Sequence, residues 1–370
     1  MTSSNRIRQV RSGIIGTGFM GGVHAAAVRA AGGRVTCVAD ATVERAESAR
    51  QRLYAERAAS SATELIVDSD VDVVHICTPN GLHARLAEEA IHAGKSVICE
   101  KPMATNVADA QRLSTLTMSA GVFSAIPFVY RYYPTVREVR ERIKAGDAGR
   151  LIVLHGSYLQ DWLSSSASTD WRVDRTMGGA SRAFGDIGVH WVDIVEFTTG
   201  HRVTRLSART VTAFPQRADS AGVFDVETED AATVLFETDR GAVGSLVVSQ
   251  VAIGRKNRLW FSLDGTDASY VFDQERPDSL WVGGRSASQV IPRGPETLAA
   301  AAARYVVLPA GHPQGYQDCF NAFIADCYAA MLGDPPEGIP TFADGLRSAV
   351  LTEAVVASAA TQCWVEVPWK

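Results

Sequence analysis

The first third of the chain alternates between two hydrophobic periods. Short apolar runs at Arg11 to Thr17, Arg34 to Asp40, Val71 to Thr78, Ser96 to Glu100 and Val122 to Val129 predict strands. Between them lie segments of helical spacing. Gly21 to Ala31 is built of small residues, and Val43 to Arg57 is highly charged, so one of its faces is solvated. Leu82 to Ala93 follows, then Ala108 to Ala120 with Gly121 as its stop signal. Strands separated by helices pair in parallel through right-handed crossovers, which predicts an α/β fold with a doubly wound parallel sheet.

The pattern changes after Tyr133-Pro134. A helix over Val136 to Lys144, ended by Gly146, precedes a series of runs rich in Val, Leu, Ile and aromatics. These are Leu151 to Tyr158, Val203 to Val211, Ala231 to Phe236, Ala242 to Val251, Arg258 to Asp264 and Ala268 to Phe272. Glycine turns such as Asp239-Arg240-Gly241 and Asp264-Gly265 join several of them. This predicts a C-terminal α+β domain with a large open, mostly antiparallel sheet and helices on one face. Ser164 to Ser168 and Arg285 to Pro295 read as loops, and Tyr316 to Leu332 and Phe342 to Thr361 as the last helices. The predicted domains are 1–127 and 128–370.

Composition narrows the function classes. With 370 residues, 46% of them hydrophobic and 21% charged, two soluble globular domains are expected. The net charge of -5 gives no general attraction to nucleic acid or anionic membranes. The start, Met1 to Arg11, is polar and basic and lacks the apolar segment of a secretory signal, and no apolar run approaches a bilayer-spanning length. None of the six cysteines forms a CxxC pair, and Cys37, Cys77 and Cys99 lie within apolar runs, so a reduced cytoplasmic setting is expected.

The chemistry begins at Gly16-Thr17-Gly18-Phe19-Met20-Gly21, a GxGxxG loop between a strand and a helix. Gly16 permits the tight turn, Gly18 lets the backbone approach a pyrophosphate, and Gly21 allows close helix–strand packing. Free N–H groups at the helix start favour that anion. Asp40 ends the next strand, where a carboxylate would bind ribose and repel a 2′-phosphate. Arg45 is either a partner for that phosphate or a helix-surface charge. NAD is the expected cofactor, with NADP possible. Lys101 ends the strand Ser96 to Glu100, so its amine would face the same crevice.

With these features in place, the chain resembles the Gfo/Idh/MocA family, which includes glucose–fructose oxidoreductase and inositol 2-dehydrogenase. The resemblance rests on Gly16 to Gly21, Thr78-Pro79-Asn80-Gly81-Leu82-His83, Ala93-Gly94-Lys95, Glu100-Lys101-Pro102 and Tyr130-Arg131. It continues through Trp171-Arg172, Gly178-Gly179, Gly185 to Asp193 and Phe342 to Arg347. It implies an NAD(P)-binding Rossmann domain and an α/β domain used for homodimer or homotetramer contacts. It also implies oxidation or reduction of a hydroxyl/carbonyl pair on a sugar, glycoside or polyol. By position, Thr78, Pro79, Asn80, His83 and Glu100 would line the nicotinamide end, with Phe19, Met20, Trp171 and Arg172 also at the cofactor. Lys101, Asp186 and His190 would be the catalytic set.

Asp186 and His190 are four residues apart and share a helix face, to which Asp193 adds a third member. His190 suits the role of base for a hydroxyl proton, and Lys101 that of orienting and stabilising the same oxygen. Asp186 and His190 also resemble a metal pair, but no third ligand has suitable spacing, so no metal is expected. Gln160 and Trp162, with Arg131 and Arg182, are candidate sugar-binding residues alongside the catalytic set. The Gln160-Asp161-Trp162 segment is similar to family members acting on glycosides and anhydrosugars. The leading expectation is a sugar or polyol dehydrogenase. The alternatives are an enzyme that retains NAD for transient oxidation during elimination or glycosidic cleavage, and a non-catalytic NAD-binding sensor.

Overall fold

The computed structural model describes residues 9–220 and 222–368, so the basic opening segment lies mostly outside the described residues. Six strands form an all-parallel sheet: β1 (Arg11–Ile15), β2 (Arg34–Ala39), β3 (Arg57–Ala58), β4 (Val73–Ile76), β5 (Ser96–Cys99) and β6 (Ser124–Ala125). Their order is β3-β2-β1-β4-β5-β6. Strands β2, β4 and β5 are almost wholly buried, as expected where helices cover both faces. The order reverses between β1 and β4, so a crevice opens beyond their carboxyl ends.

Local signals set most of the boundaries. Thr42, Ser61 and Asn106 cap helices by accepting backbone N–H groups, and Gly121 ends its helix in the left-handed region at φ 65°. Two predicted elements are shorter than their apolar patterns. The charged helix stops at Arg52, and Arg57 begins β3. β6 covers only two residues because Pro127 cannot donate to a ladder. The Ile126 N–H goes instead to the Pro340 carbonyl, and the chain turns into Val129–Tyr132.

The second sheet contains β7 (Leu151–Leu159), β8 (Val203–Val211), β11 (Ala231–Thr238), β12 (Val243–Ser249), β13 (Arg258–Gly265), β14 (Ala268–Asp273), β15 (Ser279–Gly284), β16 (Ser288–Pro292) and β17 (Val365–Glu366). Its order is β16-β15-β14-β13-β7-β12-β11-β8-β17, while β9 (Gln216–Asp219) and β10 (Gly222–Asp225) pair separately as a hairpin. Neighbours are antiparallel except β7 and β12, which run parallel at the sheet's centre. β16 falls in the segment predicted to be a loop. It is an edge strand with mostly exposed residues, so it carries no burial pattern to read.

Helices Val189–Thr199 and Phe342–Thr361 pack on one face of this sheet. The latter also contacts Val107–Ala120, and helix Tyr316–Met331 packs on Phe19–Ala30. These contacts hold the two sheets around the crevice. Among the described residues, no helix is long and apolar enough to cross a membrane.

Candidate active site

Steric limits fix two of the loop's three glycines, and open space surrounds the other. Gly16 has φ +89°, and a Cβ there would lie 2.6 Å from the Cys77 carbonyl carbon at the end of β4. A Cβ on Gly21 would lie 2.3 Å from the Gly16 oxygen, so glycine lets the helix start against the loop. At Gly18 a Cβ would meet nothing within 4 Å, which leaves the open space a pyrophosphate needs. Deeper in the crevice, the Thr78 hydroxyl is buried without a hydrogen-bond partner. The loop and this orphaned hydroxyl fit a dinucleotide.

Asp40 accepts hydrogen bonds from the Thr17 N–H at 2.9 Å, the Thr17 hydroxyl and the Ala41 N–H, and pairs with Arg45 at 2.9 Å. Burial would raise its pKa, but these bonds and Arg45 hold it below the usual carboxylate range. Arg45 therefore sits on the carboxylate expected to meet ribose. Asp40→Ala is expected to raise the KM for NAD about tenfold and narrow the preference over NADP, as measured by steady-state kinetics with both cofactors. Phe19 is exposed beside the loop, while Met20 is half-buried under Tyr316.

Lys101 reaches across the crevice to the second domain. Its Nζ donates to Asp186 Oδ1 at 2.5 Å and to the Asp186 carbonyl at 2.7 Å. Asp186 lies in a π-helical turn, Phe184–Gly188, that runs directly into the helix carrying His190. Such turns recur at functional sites. Arg172 Nε lies 3.4 Å from Asp186 Oδ1, and Gln250 Nε2 donates to Oδ2 at 2.7 Å. Burial pushes the Asp186 carboxyl up, yet Lys101 and Arg172 outweigh it and hold the group well below its ordinary value. His190 is packed edge-on against Phe128 and Tyr130, with Nδ1 buried and unpartnered. Burial first, then Lys101, push its imidazole well below the usual histidine value, so it is neutral.

Glu100 is buried behind Lys101 and accepts the Lys101 N–H at 3.1 Å. Pro79 precedes the short turn Asn80–Leu82. Asn80 Nδ2 donates to the Gly178 carbonyl at 2.9 Å, tying that turn to the second domain. His83, expected on the crevice wall, stands behind it instead. It is almost fully buried, which lowers its pKa, and its two ring nitrogens lie 2.7 Å from the Pro102 and Thr78 carbonyl oxygens, so the neutral ring donates to one of them between β4 and the turn after β5.

The opposite wall is aromatic and amide-rich. The Tyr130 and Tyr158 hydroxyls are hydrogen-bonded, and Tyr158 donates to Asn257 Oδ1 at 2.8 Å. Gln160 Nε2 donates to the same oxygen at 2.7 Å, while Gln160 Oε1 accepts from Trp162 Nε1. The Arg172 guanidinium lies over the Trp171 ring at 4.2 Å and 5.9 Å from that of Trp162.

Three further sequence expectations change here. Arg131 is not available to a sugar, because it is buried against Asp193 and Asp344. Asp193 accordingly belongs to that pair and not to the Lys101 cluster. Arg182 is fully buried on Asp230, which also binds Arg217. Gln250 and Asn257 were missed. Gln250, at least, left a signal, as a polar residue just before the end of an apolar run.

The whole chain has close counterparts. Residues 10–126 match the oxidoreductase family with an NAD-binding Rossmann fold, and residues 136–271 match the GFO/IDH/MocA C-terminal domain. Levoglucosan dehydrogenase of Pseudarthrobacter phenanthrenivorans is 31% identical over 98% of this chain and 99% of its own. The scyllo-inositol 2-dehydrogenase (NAD(+)) of Bacillus subtilis is 26% identical over 66% of this chain and 68% of its own. A solved levoglucosan dehydrogenase in complex with NADH and levoglucosan superposes with a TM-score of 0.92 at 31% identity, covering 98% of this chain and 100% of that one. Matched in both halves and along nearly its full length, the chain belongs to the Gfo/Idh/MocA family of NAD-binding oxidoreductases.

Proposed function

We propose that this protein is an NAD-dependent dehydrogenase acting on a ring hydroxyl of a sugar, with an anhydrosugar or glycoside as the favoured class. The observation that carries this reading is the Lys101–Asp186 pair beside a neutral, partly orphaned His190 at the mouth of a dinucleotide crevice. Bound NAD would supply the hydride acceptor. His190 takes the hydroxyl proton, and its depressed pKa keeps it free to do so at neutral pH. Lys101 donates to the same oxygen and stabilises it as it gains negative charge. Asp186 holds the Lys101 ammonium in place, and Arg172 and Gln250 hold Asp186.

Trp162 and Trp171 offer ring faces, and the Gln160–Asn257 pair offers amides for hydroxyls, a combination suited to a pyranose. The likeness to levoglucosan dehydrogenase supports an anhydrosugar. Leu235, Val243 and Val247, exposed on the outer face of the second sheet, support self-association through that face. The deciding experiment is NADH formation across monosaccharides, inositols, glycosides and anhydrosugars. Turnover should be highest with an anhydrosugar or glycoside, and tight NAD binding without turnover of any of them would overturn the reading.

The same geometry sets the pH dependence. A base must be unprotonated, and His190 remains so below its ordinary pKa of about 6.5. The kcat/KM for oxidation is therefore expected to stay level as pH falls through that value and to drop only below it. Ketone reduction needs the protonated ring and should rise over the same acidic range. A break in the oxidation profile at or above the ordinary histidine value would assign the proton to another group.

A further inference from the structure

The Rossmann core contains a line of polar side chains that the proposed reaction does not use. His24, on the helix that begins at the glycine loop, and His75, in β4, are both fully buried. Their Nδ1 atoms lie 3.0 Å apart, and His24 Nε2 lies 3.1 Å from Glu100 Oε1. At the other end, His75 Nε2 is 3.5 Å from the Tyr328 hydroxyl, which is 2.6 Å from Ser12 Oγ. The other Glu100 oxygen accepts the Lys101 N–H. The line therefore runs from beneath β1 to the peptide that carries Lys101.

Donor and acceptor chemistry gives the line a direction. A carboxylate only accepts, so His24 donates from Nε2. Burial, and then the neighbouring His24, push the His75 imidazole well below its usual value, so this ring carries one N–H. Two N–H groups cannot face each other. In the tautomer with His24 protonated on Nε2 alone, His75 donates from Nδ1 and its Nε2 accepts from Tyr328. Burial pushes the Tyr328 hydroxyl up, so it keeps the proton it donates, and its oxygen accepts from Ser12. Each link points toward Glu100. Buried polar groups without partners are costly, whereas a fully connected chain holds its members rigidly. Phe320, on the helix Tyr316–Met331, closes over His24 with ring centroids 5.2 Å apart.

We propose that His24 is a positioning residue. Through Glu100 it fixes the turn that presents Lys101 and the nicotinamide end of the cofactor site. His24 has no exposed surface, so it cannot touch a ligand itself and acts only through Glu100. The inference rests on the cofactor part of the proposed function and extends it to the interior of the Rossmann domain.

The test compares two ligands by titration, NADH and ADP-ribose, which lacks the nicotinamide. His24→Leu is expected to weaken NADH binding about tenfold and ADP-ribose binding no more than about twofold. His24→Gln, whose amide can donate to Glu100, should restore most of the NADH affinity. His75→Phe cuts the chain one link earlier without touching Glu100. It should show a smaller loss with the same selectivity, and it decides the matter if His24→Leu fails to fold. Equal losses for both ligands would overturn the proposal, because they would mean general damage to the helix under the glycine loop. So would unchanged NADH affinity, or a selective loss that glutamine does not repair. Neither titration needs a sugar, so a wrong substrate class leaves the result intact. Failure of the unaltered protein to bind either ligand would overturn the cofactor reading and this inference together.

Discussion

Replacing Lys101 with methionine is expected to lower kcat by about 10³-fold while leaving NADH affinity within about threefold. Methionine keeps much of the lysine's length and packing but removes the charge and every donor. The loss should fall on the chemical step, because the ammonium is held at the edge of the crevice by two Asp186 oxygens and is in place before substrate arrives. The fold should tolerate the change. Asp186 keeps Arg172 on one oxygen and Gln250 on the other, so its buried carboxylate is not left alone. The measurement is kcat from NADH formation, set beside an NADH titration of the same variant. A kcat within about tenfold of the unaltered protein would move the oxygen-stabilising role to Arg172, the other cation on Asp186. A parallel collapse of NADH affinity would make Lys101 a cofactor-binding residue first.

The nucleotide half was legible because its physics is local. Parallel strands buried on both faces read as continuous apolar runs, and Gly16 and Gly21 stand where a Cβ could not fit. The ends of β1 and β5 then put Gly16 and Lys101 on one crevice, and the family pattern adds Thr78. The proposed catalytic cluster was legible only through the family pattern, since Asp186 approaches Lys101 across 85 residues of sequence.

The arginines show where local reading ends. Arg131, Arg172 and Arg182 look alike in the sequence, and what separates them is a distant partner. Arg131 is held by Asp193 and by Asp344, 62 and 213 residues away, and Arg182 by Asp230, 48 residues away. Only Arg172 turns toward Asp186. Asn257 was hidden for the same reason, since only the pairing of β13 with β7 brings it beside Gln160 and Tyr158. The π-helical turn at Asp186 left no periodic signal, because one wide turn within an apolar helix barely changes its spacing.

Asp230→Ala is expected to destabilise the fold by about 3–5 kcal/mol, the largest stability effect among the residues near the site. Asp230 has no exposure, and its Oδ1 accepts from both Arg182 and Arg217. Its Oδ2 accepts the N–H groups of Ala213 and Phe214 at 2.8 and 3.1 Å. Alanine would strand the Arg182 nitrogen and the two backbone N–H groups. Arg182 suffers most, because its Nε and Nη1 already lack partners and Asp230 holds its remaining nitrogen. Arg217 keeps the carbonyls of Leu163, Ser165 and Ser168, at 3.0, 2.8 and 2.6 Å.

The damage should also reach function by a defined route. Arg217 pins the loop between Trp162 and Trp171, and Arg182 leads into the turn that carries Asp186. Neither supports the glycine loop. The KM for the sugar should therefore rise several-fold in folded protein, while NADH affinity stays unchanged. Urea unfolding measures the first effect, and steady-state kinetics below the unfolding transition measures the second. A midpoint shift worth less than about 1 kcal/mol would mean that both guanidiniums find other acceptors in the folded state. A normal sugar KM in a destabilised variant would confine Asp230 to holding the fold and leave the substrate loop supported by the carbonyl contacts of Arg217 alone.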